Sequence, residues 1–173
     1  MEEPNMITEQ PCPICNKNTL TLMESEREIP YFGLVYLFSM DCSSCNYHKA
    51  DVEPAEEREP VRYTLEVNSE EDLMIRIVKS STAKIKIPRI TTIDPGEVSN
   101  GYITNVEGIL NRIKHQIERV KEEEEDKDKQ KKAKNMLKKL QKVMWGEDSL
   151  KIILEDKKGH SAIISDKAEI KKL

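Results

Sequence analysis

Four cysteines set the terms on which this chain can fold. They fall as Cys12-x2-Cys15 and Cys42-x2-Cys45, with 26 residues between the pairs, and the 173-residue chain has no others. Each pair can grip a metal ion from a tight turn, where backbone N–H groups support the thiolate charge. Four thiolates match the tetrahedral preference of Zn²⁺ at about 2.3 Å per bond, and a closed shell of four leaves no open position for catalysis. We read Cys12, Cys15, Cys42 and Cys45 as the ligands of one structural Zn²⁺. A redox CxxC would not need a matching second pair, and no thioredoxin-like βαβ pattern surrounds either one. His48 follows Cys45 by three residues and reads as a nearby histidine, not a ligand.

The segment between the pairs carries two strand patterns, Thr19–Ser25 and Leu34–Met40. A long hairpin leading from one CxxC turn to the next is a zinc ribbon. The hairpin should turn at Glu28-Ile-Pro-Tyr-Phe-Gly33, where Pro30 fixes φ and Gly33 permits an unusual one. Ile29, Tyr31 and Phe32 are large and apolar. They either cover the ribbon and dock on the rest of the chain, or form a loop that enters a pocket on a partner. A ribbon of about 40 residues has little core of its own. Ile29, Pro30, Tyr31 and Phe32 are therefore candidate partner-binding residues.

The ribbon is expected over residues 8–52. Residues 53–60, Glu-Pro-Ala-Glu-Glu-Arg-Glu-Pro, have no large apolar side chain and read as a linker. A β domain is expected over residues 61–173. Val61–Val67 alternates apolar and polar residues, and Leu73–Val78 and Ala83–Ile87 continue the strand signal. The stretch from Thr91 to Ile103 mixes short β-like pieces with turn residues. Thr104 and Glu107 then form a capping box. Val106, Ile109, Leu110, Ile113, Ile117 and Val120 make one helical stripe; Ala133, Met136, Leu137, Leu140, Val143 and Met144 make a second. The polar run between them predicts a solvated turn or frayed helix ends, and the whole a helical hairpin inserted at about residues 104–145. Trp145-Gly146 ends the second helix. Leu150–Leu154 and Ser161–Ile164 read as a closing β-hairpin. The fold class is mainly β with an α-helical hairpin. Sequence pattern alone leaves a sandwich, a jelly roll or a distorted barrel open for the β domain.

Charge narrows the function. The net charge is −4, yet residues 1–52 hold three cations against eight acids. Nucleic-acid affinity rests on cationic surface, so an acidic finger argues against it. The alternative reading, a nucleic-acid-binding zinc ribbon in translation or transcription, rests on Lys131, Lys132, Lys134, Lys138, Lys139 and Lys142 of the second helix. No enzyme is expected: His48, His115 and His160 are scattered, and there is no phosphate-binding glycine loop or nucleophile–base signature. No apolar run approaches the roughly 20 residues of a membrane helix, and no secretory signal is visible at the N-terminus. A cytoplasmic location without membrane contact is expected, with thiols kept reduced.

Several blocks together resemble the ZPR-type zinc-finger proteins in their short archaeal, single-module form. They are the paired CxxC turns around EIPYFG, RYTLEVNSEEDLMIRIVKSSTAKIKIP, GYITNVEGIL after a Pro-Gly turn, and LEDKKGHSAI, spanning about Cys12 to Ile164. His160 stands where the family often has Asn. The resemblance implies a ribbon-type zinc finger followed by a double-stranded β-helix (jelly-roll-like) domain with an inserted helical hairpin. It also implies a protein partner, translation elongation factor 1-alpha, which eukaryotic two-module members bind and help to fold.

Overall fold

The computed structural model describes residues 4–96 and 99–173. Met1–Glu3 and, within the expected turn region, Glu97 and Val98 lie outside the described residues. The finger is one antiparallel sheet of four strands in spatial order: β1 (Asn5–Pro11), β2 (Asn18–Ile29), β3 (Gly33–Cys42) and β4 (His48–Pro54). β2 and β3 pair in continuous register from Leu20↔Cys42 to Ile29↔Gly33. The cysteines thus sit at one end of a long hairpin, and Pro30–Phe32 turns at the other. Because side chains alternate across a strand, Ile29, Val35, Leu37 and Val52 share the inner face.

Eight strands follow: β5 (Val61–Val67), β6 (Arg76–Lys79), β7 (Lys84–Ile87), β8 (Thr91–Ile93), β9 (Tyr102–Asn105), β10 (Leu150–Asp156), β11 (Ala162–Ile164) and β12 (Glu169–Lys172). They form two antiparallel sheets, ordered β12-β5-β10-β7-β8 and β11-β6-β9. The last residues of β9 run directly into α1 (Val106–Glu123), and α2 (Lys127–Met144) leads back to β10. Val106, Ile109, Leu110 and Ile113 of α1 meet Leu140 and Val143 of α2 in one cluster with Leu65, Ile85, Ile152 and Leu154 of the larger sheet. The helical hairpin therefore supplies part of the jelly-roll core. Toward the hairpin tip the cover is lost: Val120, on the expected stripe, is 61% exposed.

Two local expectations change. The helix cap is Asn105, whose side chain accepts from the Gly108 amide; Thr104 is still strand. The charged run forms helix ends around a short turn, within what is expected: α1 continues to Glu123, and Asp126 starts α2 by accepting from the Asp128 and Lys129 amides. Good helix formers such as Glu, Lys and Gln fill both segments. Finally, β10 and β11 do not form a closing hairpin. β10 pairs with β5 and β7, and β11 pairs with β6 in the other sheet.

The finger is joined to the jelly roll by a packed seam. Ile29, Phe32, Val35 and Val52 bury against Val78 and Ala162. Polar bonds flank this cluster. The Gly101 amide donates to the Ala50 carbonyl (2.9 Å), and the Ala50 amide donates to Asn100 Oδ1 (3.0 Å). Asp51 accepts from both the amide and hydroxyl of Ser81. The expected linker belongs to this joint: Glu53 and Pro54 are the end of β4, and Arg58 Nη2 donates to the Phe32 carbonyl. Behind the seam, buried Asp156 accepts from Ser80 Oγ (2.7 Å), Ser161 Oγ (2.6 Å) and Thr82 Oγ1 (3.0 Å). Ser80 and Thr82 belong to the SSTAKIKIP block, and Ser161 directly precedes β11. No helix among the described residues is long and apolar enough to cross a membrane.

Candidate metal centre and finger-tip loop

Each CxxC segment folds as a tight knuckle with the same wiring. In the first, the Asn16 amide donates to the Cys12 carbonyl (2.9 Å), and the Cys12 amide donates to the Lys17 carbonyl (2.9 Å). In the second, Asn46 donates to Cys42 (3.0 Å), and Cys42 donates to Tyr47 (2.9 Å). Closing such a turn requires a left-handed residue just after the second cysteine, and Asn16 (φ 56°) and Asn46 (φ 58°) supply it. Asn tolerates this region better than most residues. The repeated Cys-x2-Cys-Asn was the available signal for this pair, and the sequence reading passed over it.

The knuckles bring Cys12, Cys15, Cys42 and Cys45 together, with all four Sγ atoms within 4.8 Å of one another. None of the four is in a disulfide. Cys12 Sγ lies 3.7 Å from Cys45 Sγ, and Cys15 Sγ lies 3.7 Å from Cys42 Sγ. These spacings are too long for disulfides. They match the edge of about 3.8 Å of a sulfur tetrahedron with metal bonds of about 2.3 Å. The Ile14 amide is directed at Cys12 Sγ (3.4 Å), and Thr19 Oγ1 lies 3.3 Å from Cys42 Sγ. That Thr19 contact leads the causes that bring the Cys42 thiol down to about 6. The Tyr47 backbone contact favours the Cys45 thiolate, but burial and the three neighbouring cysteines outweigh it and push that thiol up to about 12. Holding four thiolates this close together needs the counter-charge of a cation. Zn²⁺ bound here would supply that charge and cross-link the two knuckles. His48 is not in the cluster; its Nδ1 pairs with Asp41 Oδ1 at 2.6 Å.

At the other end of the hairpin, the four candidate loop residues separate. Ile29 and Phe32 are each 4% exposed and belong to the seam, whereas Tyr31 is 100% exposed. Pro30 is exposed beside it. The outward presentation expected for Ile29 and Phe32 is therefore corrected. They lie on the inner side of the turn, where Val35, Val52, Val78 and Ala162 take up their apolar surface. The Phe32 amide donates to the Ile29 carbonyl (2.9 Å), and Tyr31 adopts φ 65° with Gly33 at φ 96°. A bulky residue in the left-handed region is uncommon and costs about 1 to 2 kcal/mol. Here the buried residues on either side fix the turn and leave the Tyr31 ring in solvent. Sequence reading also missed Arg58, whose guanidinium stacks on the Phe32 ring, centroid distance 4.1 Å.

The model of the ZPR1 zinc-finger domain matches residues 6–60, and that of the ZPR1 jelly-roll domain matches residues 71–172. A ZPR1-like protein of Methanocaldococcus jannaschii is 39% identical over 160 residues, spanning 91% of this chain and 81% of its own length. Another, from Pyrococcus horikoshii, is 36% identical over 167 residues, spanning 94% and 75%. The zinc finger chaperone zpr1 of Schizosaccharomyces pombe is 35% identical over 113 residues, which cover 64% of this chain and 24% of that protein.

Proposed function

The chain belongs to the ZPR1 zinc-finger family, and from that premise we propose that it is a zinc-stabilised, chaperone-like protein-binding factor whose client is the translation elongation factor 1-alpha GTPase. One Zn²⁺ on Cys12, Cys15, Cys42 and Cys45 holds the finger in shape and takes no part in chemistry. The observation that carries the binding role is Tyr31. An aromatic ring is fully exposed at the tip of a rigid hairpin, on a backbone conformation that costs stability. Aromatic residues on rigid supports make effective interface anchors because little side-chain freedom is lost on binding. The printed name of the fission-yeast relative, a zinc finger chaperone, agrees with a client-binding role.

The test is calorimetric titration of the zinc-loaded chain with purified elongation factor 1-alpha from the same organism. The wild type should bind, and Tyr31→Ala should weaken binding at least tenfold while keeping its zinc. Equal binding by Tyr31→Ala would remove the anchor; no binding by the wild type would remove the client.

A further inference from the structure

The finger sheet has two faces. The jelly roll packs on the one that carries Ile29, Val35 and Val52, and reaches the other only at its β4 edge, where Lys49 donates to the Ser99 carbonyl and Asp51 accepts from Ser81. The register places a second apolar row on the opposite face. Ile7, Leu22 and Met40 lie side by side across three strands, and Phe38, Tyr36 and Leu34 continue the row along β3. Ile7 is 50% exposed, and Leu34 and Met40 are 37% exposed. The Tyr36 and Phe38 rings lean together with centroids 6.4 Å apart. At the knuckle end, Ile7, Leu22, Phe38 and Met40 line a depression of about 170 Å³. A cavity of about 150 Å³ is enough to hold a benzene ring.

Acids line the β2 side of this row, and on the β4 side Lys49 and Asp51, opposite Met40 and Phe38, are engaged by the jelly roll and leave Glu53 facing solvent. Glu24, Glu26 and Glu28 of β2 stand directly opposite Phe38, Tyr36 and Leu34, and Glu53 of β4 stands opposite Tyr36. All four are exposed, and among the described residues none forms an ion pair. Three glutamates spaced two apart on one strand face repel one another, which costs folding stability. The seam uses none of them.

We propose that this outer face binds a basic amphipathic segment of a partner protein. One apolar side chain of that segment fills the Ile7–Leu22–Phe38–Met40 depression, and others lie along Tyr36 and Leu34. Its Lys or Arg residues meet Glu24, Glu26, Glu28 and Glu53. The apolar row supplies affinity, and the glutamates supply attraction and choice of partner. This inference rests on the reading of the chain as a protein-binding factor, but uses a surface separate from Tyr31.

The probe is a synthetic peptide of alternating Lys and Leu, titrated into the ¹⁵N-labelled, zinc-loaded full chain, with a Glu–Leu peptide as control. Amide shifts should concentrate on residues 22–28 and 34–40 for the basic peptide only. Tyr36→Ser/Phe38→Ser and Glu24→Gln/Glu26→Gln/Glu28→Gln should each weaken binding at least tenfold. The glutamine variant keeps every apolar contact, so its result does not depend on repacking of the sheet. Shifts centred elsewhere would overturn the proposal, as would undiminished binding by either variant. So would sedimentation showing this face buried in a dimer of the chain itself. The peptide experiment does not involve Tyr31, so its failure and the failure of the Tyr31 anchor are separable.

Discussion

Arg58 holds Phe32 at two points. Its guanidinium carbon lies 4.1 Å from the ring centroid, and its Nη2 donates to the Phe32 carbonyl oxygen. The inner side of the finger-tip turn is thereby tied to the segment that joins finger and jelly roll. Arg58→Ala should lower stability by about 2 kcal/mol, combining the loss of a cation–π contact and a charge-assisted hydrogen bond. Arg58→Lys should recover less than half, because an ammonium cannot stack and reach the carbonyl together. Urea unfolding of the two variants measures both values.

Tyr31 gives the opposite expectation. Its ring touches solvent on all sides, and its backbone sits where Asn is better tolerated. Tyr31→Asn should raise stability by about 0.5 to 1 kcal/mol while weakening client binding. A thermal melt beside a binding titration would show the trade; a lower melting temperature would mean that the ring supports the fold.

Asp156 predicts a pH dependence with a definite sign. Burial alone would push its carboxyl up, but Ser161, Ser80, the Lys158 amide and Thr82 outweigh burial and hold it below the ordinary range. The folded chain therefore takes up this proton at a lower pH than the unfolded chain, whose carboxyl titrates near about 3.9. The stabilisation is present above that value and is lost as pH falls through the folded one. Asp156→Asn should cost about 2 to 3 kcal/mol at neutral pH. The gap between variant and wild type should narrow near pH 3, as denaturant curves at the two pH values would show.

Zinc removal should act unevenly along the finger. At the knuckle end, the apolar cluster is little more than Cys12, Leu20 and Cys42, whereas Ile29, Phe32 and Val35 are held by the jelly roll. Chelation should release amide protection in residues 12–22 and 40–47 and leave Ile29–Val35 largely protected in hydrogen exchange. Metal analysis of the purified chain should find one zinc per chain. Uniform loss of protection across both modules would mean that the seam depends on the metal.

Gly101 marks a close backbone approach in the seam. A Cβ placed there would lie 2.8 Å from the Val52 amide nitrogen and 3.0 Å from Asp51 Cα. Gly101→Ala should cost about 1 to 3 kcal/mol by forcing β4 away from β9. Limited proteolysis should then cut within residues 53–60 faster than it does in the wild type.

Short-range chemistry was readable from the chain. The CxxC spacing located the cysteines, the alternation in Val61–Val67 matched β5 residue for residue, and the helical stripes marked the faces of α1 and α2 that meet. What escaped was the choice of partner. The patterns of Leu150–Leu154 and Ser161–Ile164 are both sound strands, but nothing local says that they belong to different sheets. Ile29, Tyr31 and Phe32 are alike in apolarity, and only the register of β2 on β3 turns two of them inward. Arg58 sat in a run of acids and prolines whose composition resembles a solvated linker. Its role depends on a ring 26 residues earlier.

The seam also fixes an order of assembly on the ribosome. The finger is synthesised first and can take up its metal once Cys45 has emerged. Its inner face, however, is completed by Val78 and then by Ala162 of β11. Until β11 is made, Ile29, Phe32 and Val35 lack part of their cover, and newly made chains carry an apolar surface that the finished protein does not. A nascent chain arrested before residue 162 should therefore be captured by general chaperones through this face, and release should follow the emergence of β11.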